Sequence, residues 1–120
     1  MAVSVYSGTV TNGTPQSGLV EAIPAAAKSL GVTLLAQYSA TAGTTGVKLQ
    51  VGVSIDGGLT YSDYADVVTA APTASQGSAQ QSEAFASLDT YKNATHLQFK
   101  LLNLDASNVA TVALTFRAAA

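Results

Sequence analysis

Between residues 47 and 55 the chain alternates without a break. Val47, Leu49, Val51, Val53 and Ile55 fall on one side, and Lys48, Gln50, Gly52 and Ser54 on the other. A period of two marks a strand with one face buried. The last strand reads the same way, with Val112, Leu114 and Phe116 inward and Thr111, Ala113, Thr115 and Arg117 outward. Before it, Leu97, Phe99 and Leu101 alternate with His96, Gln98 and Lys100. The phase slips at Leu101-Leu102, which predicts a bulge or a strand buried on both faces. Weaker alternation predicts further strands over residues 3–10, 19–23 and 31–40, the last carrying Val32, Leu34, Leu35 and Tyr38.

Turn residues punctuate these runs: Asn12-Gly13, the glycine-rich stretch 42–46, Asp56-Gly57-Gly58 and the stretch 105–108. Gly and Asn accept positive φ, and Asp and Ser bond the turn backbone. Helical signal is thin. Residues 24–30 read as one helical turn with Pro24 at its start. Residues 83–91, with Phe85 and Leu88 three apart, read as a short helix or an irregular loop. Many short strands joined by Gly-rich turns predict an all-β fold, a small antiparallel β-sandwich. Two hairpins, over residues 34–55 and 97–116, are expected to form its facing sheets.

At 120 residues the chain is expected to form one domain, 1–120. Residues 1–15 read as a candidate arm and 70–81, which lack periodicity, as an exposed loop. Its hydrophobic content of 48% supplies one core. Only 10% of residues are charged, against about 25% in an ordinary soluble domain. The net charge of −2 and normal apolar content exclude a disordered chain. A surface of Ala, Ser, Thr, Gly and Gln repels copies of itself weakly and is cheap to desolvate, as interfaces require. The bland alternative is a Ser/Thr-coated secreted domain.

Lys28, Lys48, Lys92, Lys100 and Arg117 stand singly, so no nucleic-acid surface is expected. Without cysteine there is neither a disulfide framework nor thiolate chemistry. The first ten residues lack the pattern of a signal peptide and no apolar run reaches membrane-spanning length, so the chain is expected to be soluble with no membrane partner.

Catalytic chemistry finds no purchase in the sequence. The lone histidine, His96, falls on the polar side of its strand, and no G-x-S-x-G elbow accompanies it. Asp56, Asp63 and Asp66 lie close in sequence but match no calcium loop. No catalytic residue, metal site or cofactor is therefore expected, and the chain reads as a non-enzyme. An exposed platform of Tyr61, Asp63, Tyr64 and Asp66 is the one candidate for a sugar, although the chain has no tryptophan.

The most specific motif is Ser54-Ile55-Asp56-Gly57-Gly58-Leu59-Thr60-Tyr61. It resembles the Asp-box, S-x-D-x-G-x-T-[WYF], a β-hairpin turn found in sialidase propellers and other β proteins. Its logic is local: Asp56 accepts bonds from the turn backbone and from the Ser54 or Thr60 hydroxyl, Gly58 takes positive φ, and Tyr61 folds over the hairpin. One such motif and one arginine do not make a sialidase.

Together with the opening Gly/Thr-rich strand, the Ala-Gly-Thr-Thr-Gly stretch and the closing segment 96–118, the motif resembles the small β-sandwich virion structural proteins of tailed bacteriophages. That resemblance implies a capsid decoration or cement protein, soluble in the host cytoplasm before assembly and then part of the virion. Its implied partners are virion proteins, above all the major capsid protein, with the chain a homo-oligomer or lattice-bound. The alternative it leaves is a carbohydrate-binding sandwich of a tail or fibre. Residues 1–15 and 70–81 would be the contact arms, and the closing strand, residues 109–117, an unguarded sheet edge.

Overall fold

The computed structural model describes residues 2–38, 45–71, 80–106 and 108–120. They form eight strands: β1 (Ala2–Val10), β2 (Gln16–Ala22), β3 (Ser29–Tyr38), β4 (Val47–Ser54), β5 (Ala65–Ala70), β6 (Gln80–Ser87), β7 (His96–Asn103) and β8 (Ala110–Ala119). The single helical element among the described residues is a 3-10 turn at Asp89–Tyr91. Two four-stranded antiparallel sheets, ordered β1-β8-β3-β6 and β2-β7-β4-β5, pack face to face. This order is that of a jelly roll.

The inward rows follow the alternation. Leu30, Val32, Leu34, Ala36 and Tyr38 from β3 and Val112, Leu114 and Phe116 from β8 are buried. They face Val47, Leu49 and Val51 from β4 and Leu97, Phe99 and Leu101 from β7. The Phe99 and Phe116 rings meet across the layer at 6.0 Å, tilted by 52°, a favourable edge-on arrangement. Ile55 breaks the expected pattern: β4 ends at Ser54, and Ile55 turns outward, 81% exposed.

Several expectations are corrected. β3 and β4 lie in different sheets, as do β7 and β8, so neither predicted hairpin exists. Among consecutive strands, only β4 and β5 pair with each other; the other connections cross from one sheet to the other. β8 is no edge, because β1 and β3 flank it over most of its length. The phase does not slip at Leu102: β7 alternates to its end, its register with β4 is continuous, and the inward place after Leu101 is taken by Asn103. Residues 24–30 hold a single turn closed by the Ala27 amide on the Pro24 carbonyl, and β3 begins at Ser29. Residues 80–87 are strand β6, where a helix or loop was expected.

Most of the expected N-terminal arm is strand β1, paired with β8 from Ala2 to Val10. Within the expected loop 70–81, Ala70 closes β5 and Gln80 opens β6; residues 72–79 lie outside the described residues, as does most of the turn at 42–46.

Antiparallel order gathers the connections at two ends. The β2–β3, β4–β5 and β6–β7 connections share one end, where the backbone joins Ile23 to Thr95, Lys28 to Ala119 and Leu88 to Leu30. The last residues of β1, β3, β5 and β7 lie at the other.

Candidate functional site

The β4–β5 connection is organised around two side chains. Ser54, buried at the end of β4, donates its hydroxyl to Asp56 Oδ1 at 2.7 Å and accepts the Gly58 amide at 2.9 Å. Asp56 Oδ1 also accepts the Thr60 amide at 3.0 Å, and Oδ2 accepts the Thr60 hydroxyl. The Thr60 hydroxyl, then its amide, then the Ser54 hydroxyl hold the Asp56 carboxyl well below the ordinary carboxylate range, since each bond favours the charged form.

Gly57 and Gly58 take φ of +77° and +89°, which L side chains resist. A Cβ on Gly58 would sit 3.2 Å from Tyr61 Oη and 3.7 Å from His96 Cγ, so both rings close over this glycine. All five motif residues therefore meet in one turn. The sequence reading missed Thr95, whose hydroxyl accepts the Gly57 amide at 3.0 Å and donates to the Ser54 carbonyl at 3.1 Å. Nothing in the sequence distinguishes that threonine from its neighbours. The turn presents Ile55 and Leu59 to solvent, 81% and 85% exposed.

The chain returns close to β4 after the turn. The Ser62 amide donates to the Val53 carbonyl, and the Val53 amide donates to the Ser62 hydroxyl, both at 2.9 Å. A Cβ on Gly52 would lie 2.8 Å from the Ser62 carbonyl oxygen, so this crossing requires glycine.

Three of the four residues expected as a sugar platform make local contacts. Tyr61 faces Gly58 and His96. The Tyr64 ring carries the Lys100 ammonium 5.5 Å from its centre, and its hydroxyl accepts the Gly18 amide at 3.3 Å. Asp66 accepts the Gln50 amide at 2.8 Å and pairs with Lys48 at 3.4 Å; the Gln50 bond first, then Lys48, lowers its pKa. Asp63 is exposed. Asp56, Asp63 and Asp66 form no metal cluster, and no group of three or more potential ligands occurs among the described residues. His96 Nδ1 lies 3.2 Å from the Thr95 hydroxyl, and no carboxylate partners it among the described residues.

At the other end of the sandwich a buried polar network joins both sheets. Asn103 Nδ2 donates to the carbonyls of Val10 at 3.0 Å and Asn108 at 2.6 Å. Its Oδ1 accepts the Asp105 amide at 3.0 Å and faces the Tyr38 hydroxyl at 2.7 Å. That hydroxyl also lies 2.9 Å from the Gly46 carbonyl. Burial first, and then the Asp105 carboxylate, push the Tyr38 pKa up. Every member has a partner, so the group reads as structural.

The two outer sheet faces differ. The β2-β7-β4-β5 face carries Lys48, Lys100 and Asp66 along with His96. The β1-β8-β3-β6 face carries mostly Ser, Thr and Ala, with Glu83 and Arg117. A shallow groove of about 690 Å³ runs over that second face, lined by Gly31, Thr33, Phe85, Ser87 and Arg117 among others. Phe85 is 69% exposed there. No helix among the described residues is long and apolar enough to cross a membrane, which says nothing of β-barrels.

No family model matches the chain, and no curated protein matches it. Among solved structures it is similar to a chain in the structure of infectious bursal disease virus Gt strain, with a TM-score of 0.51 and 10% identity over 97% of this chain. It spans about a third of that viral chain, 32% of its length. It is also similar to the carbohydrate-binding module CBM36, solved with calcium and xylotriose, at a TM-score of 0.49 and 17% identity over 98% of this chain and 99% of the module. At these identities what is shared is the fold: a small β-sandwich.

Proposed function

We propose that this chain is a non-enzymatic structural protein of a virus particle, most specifically a decoration or cement protein on the capsid of a tailed bacteriophage. In this role it binds an oligomeric lattice, with the major capsid protein as partner, and performs no chemistry. The observation that carries the reading is the β4–β5 turn. Ile55 and Leu59 are held out in water, 81% and 85% exposed, on a loop braced by Asp56, Ser54 and Thr95.

Exposed apolar side chains on a pre-organised turn lose little entropy on docking, so their burial goes into binding. Repetition over a lattice multiplies modest contacts of this kind. The scarcity of charge supports the same reading, because an interface core excludes charged residues. His96 has no acid partner among the described residues, which supports a role without catalysis. The test is binding of the purified chain to decoration-free capsids of the encoding phage, compared with a variant carrying Ile55→Ser and Leu59→Ser.

In the carbohydrate-binding alternative, three of the four platform residues already make local contacts. Tyr64 lies under Lys100, Asp66 is paired with Lys48, and Tyr61 closes over Gly58.

A further inference from the structure

A β-sandwich has four edge strands, here β1, β6, β2 and β5. Three of them are interrupted. β1 has an extra residue, Val5, between the pairs Ser4↔Thr115 and Tyr6↔Leu114. β2 is shifted between Gln16↔Leu101 and Leu19↔Phe99, where Gly18 takes a φ of +70°. β5 has Val67 in excess between Val68↔Leu49 and Asp66↔Gln50. Bulges of this kind twist an edge and spoil it as a template for further pairing.

β6 has no such interruption. It pairs with β3 through eight successive partners, Gly31↔Ser87 to Tyr38↔Gln80, with no shift. The Leu88 amide donates to the Leu30 carbonyl at 2.8 Å, so even-numbered backbone groups of this strand point toward β3. The odd-numbered amides and carbonyls, at Glu83, Phe85 and Ser87, therefore point off the sheet. No described strand pairs with them. Glu83 is the one charge on β6, and the strand contains neither lysine nor proline to guard it. Phe85, 69% exposed, stands on its outer face.

We propose that β6 pairs antiparallel with β6 of a second copy, joining two four-stranded sheets into one eight-stranded sheet across a two-fold axis. A two-fold contact must be complementary to itself, and β6 meets that condition in the register centred on Phe85. With Phe85 opposite Phe85, the odd-numbered backbone groups of both strands face each other. Glu83 of each copy then falls opposite Ser87 of the other, and the rings form a cross-strand aromatic pair. The groove beside them, floored by Gly31, leaves room for the rings. Centring the contact on Glu83 instead would set two carboxylates face to face. The dimer needs no particle, so it stands or falls independently of the capsid reading.

The experiment uses the absence of native cysteine. Phe85→Cys, Glu83→Cys and Val20→Cys variants of the full chain are oxidised under identical conditions, and the covalent dimer is followed with time. Directly opposed residues in an antiparallel pair are about 5.5 Å apart at Cα, within disulfide range. The Phe85→Cys variant is expected to cross-link at least tenfold faster than either the Glu83→Cys or the Val20→Cys variant. Sedimentation velocity of the unmodified chain should show a dimer, and Phe85→Lys should yield a folded monomer by circular dichroism. Three results would each overturn the proposal: a monomeric unmodified chain, a Glu83→Cys or Val20→Cys variant that cross-links as fast as Phe85→Cys, or a dimer unaffected by Phe85→Lys.

Discussion

The Tyr38 hydroxyl, at the end of β3 in one sheet, lies 2.7 Å from Oδ1 of Asn103, at the end of β7 in the other. This polar bridge spans a largely apolar layer and joins the two sheets at the end opposite the β4–β5 turn. Tyr38→Phe removes one hydrogen bond while Asp105 still serves Asn103 Oδ1, so a loss of about 1 kcal/mol is expected. Asn103→Ala strips partners from Val10, Asn108, Tyr38 and Asp105 together, and a loss of about 3 kcal/mol or more is expected. Urea unfolding of the two variants measures both values.

The same tyrosine sets an alkaline limit. Its pKa is raised in the folded chain from the ordinary 10.0. Folding therefore favours the neutral phenol, and this contribution is intact below pH 10 and lost as pH rises above it. Asp56 acts with the opposite sign. Its pKa is lowered from 3.8, so its contribution is present above that value and fades as pH falls below it. Unfolding midpoints measured across pH should show Tyr38→Phe flattening the alkaline limb and Asp56→Asn flattening the acid limb.

Two glycines are required by close approach. A Cβ on Gly46, where φ is +94°, would lie 2.5 Å from the Ala70 carbonyl oxygen, and one on Gly52 would lie 2.8 Å from that of Ser62. Gly46→Ala combines a backbone penalty with a clash and is expected to cost about 2–4 kcal/mol. Gly52→Ala, with the clash alone, is expected to cost about 1–3 kcal/mol. Thermal unfolding ranks the two.

His96→Ala is expected to leave folding and particle binding unchanged within experimental error. The ring meets the Thr95 hydroxyl and packs beside Gly58 without carrying the turn's bonds. A panel of esterase, glycosidase and phosphatase substrates should show no activity in the unmodified chain. Turnover that disappears with His96→Ala would contradict the non-catalytic reading.

Periodicity revealed strands where large residues held the inward places, as in β4, β7 and β8. It failed on β6, whose inward places at Ala84 and Ala86 carry little hydrophobic signal while its one large residue, Phe85, faces out. Strand pairing was hidden for a different reason. Neighbours in sequence were assumed to be neighbours in a sheet, yet a jelly roll sends most connections across the layer. The turn at residues 54–61 was legible because the bonds of the Asp56 carboxylate are local. The Tyr38–Asn103 bridge was not, although one signal was present: both residues continue an inward row, at 32, 34, 36, 38 and at 97, 99, 101, 103, and polar atoms in phase with a core require partners.

The proposal of a tailed-phage capsid decoration protein is tested most directly by co-sedimentation of the purified chain with decoration-free capsids of such a phage. Burying Ile55 and Leu59 at a subunit junction contributes about 1.5 kcal/mol each at least, or about a hundredfold in affinity together. The unmodified chain is expected to co-sediment saturably, and the Ile55→Ser, Leu59→Ser double variant to bind about a hundredfold more weakly with an unchanged circular dichroism spectrum. A chain that never associates with the capsid, or a double variant that binds as tightly as the unmodified one, would contradict the account.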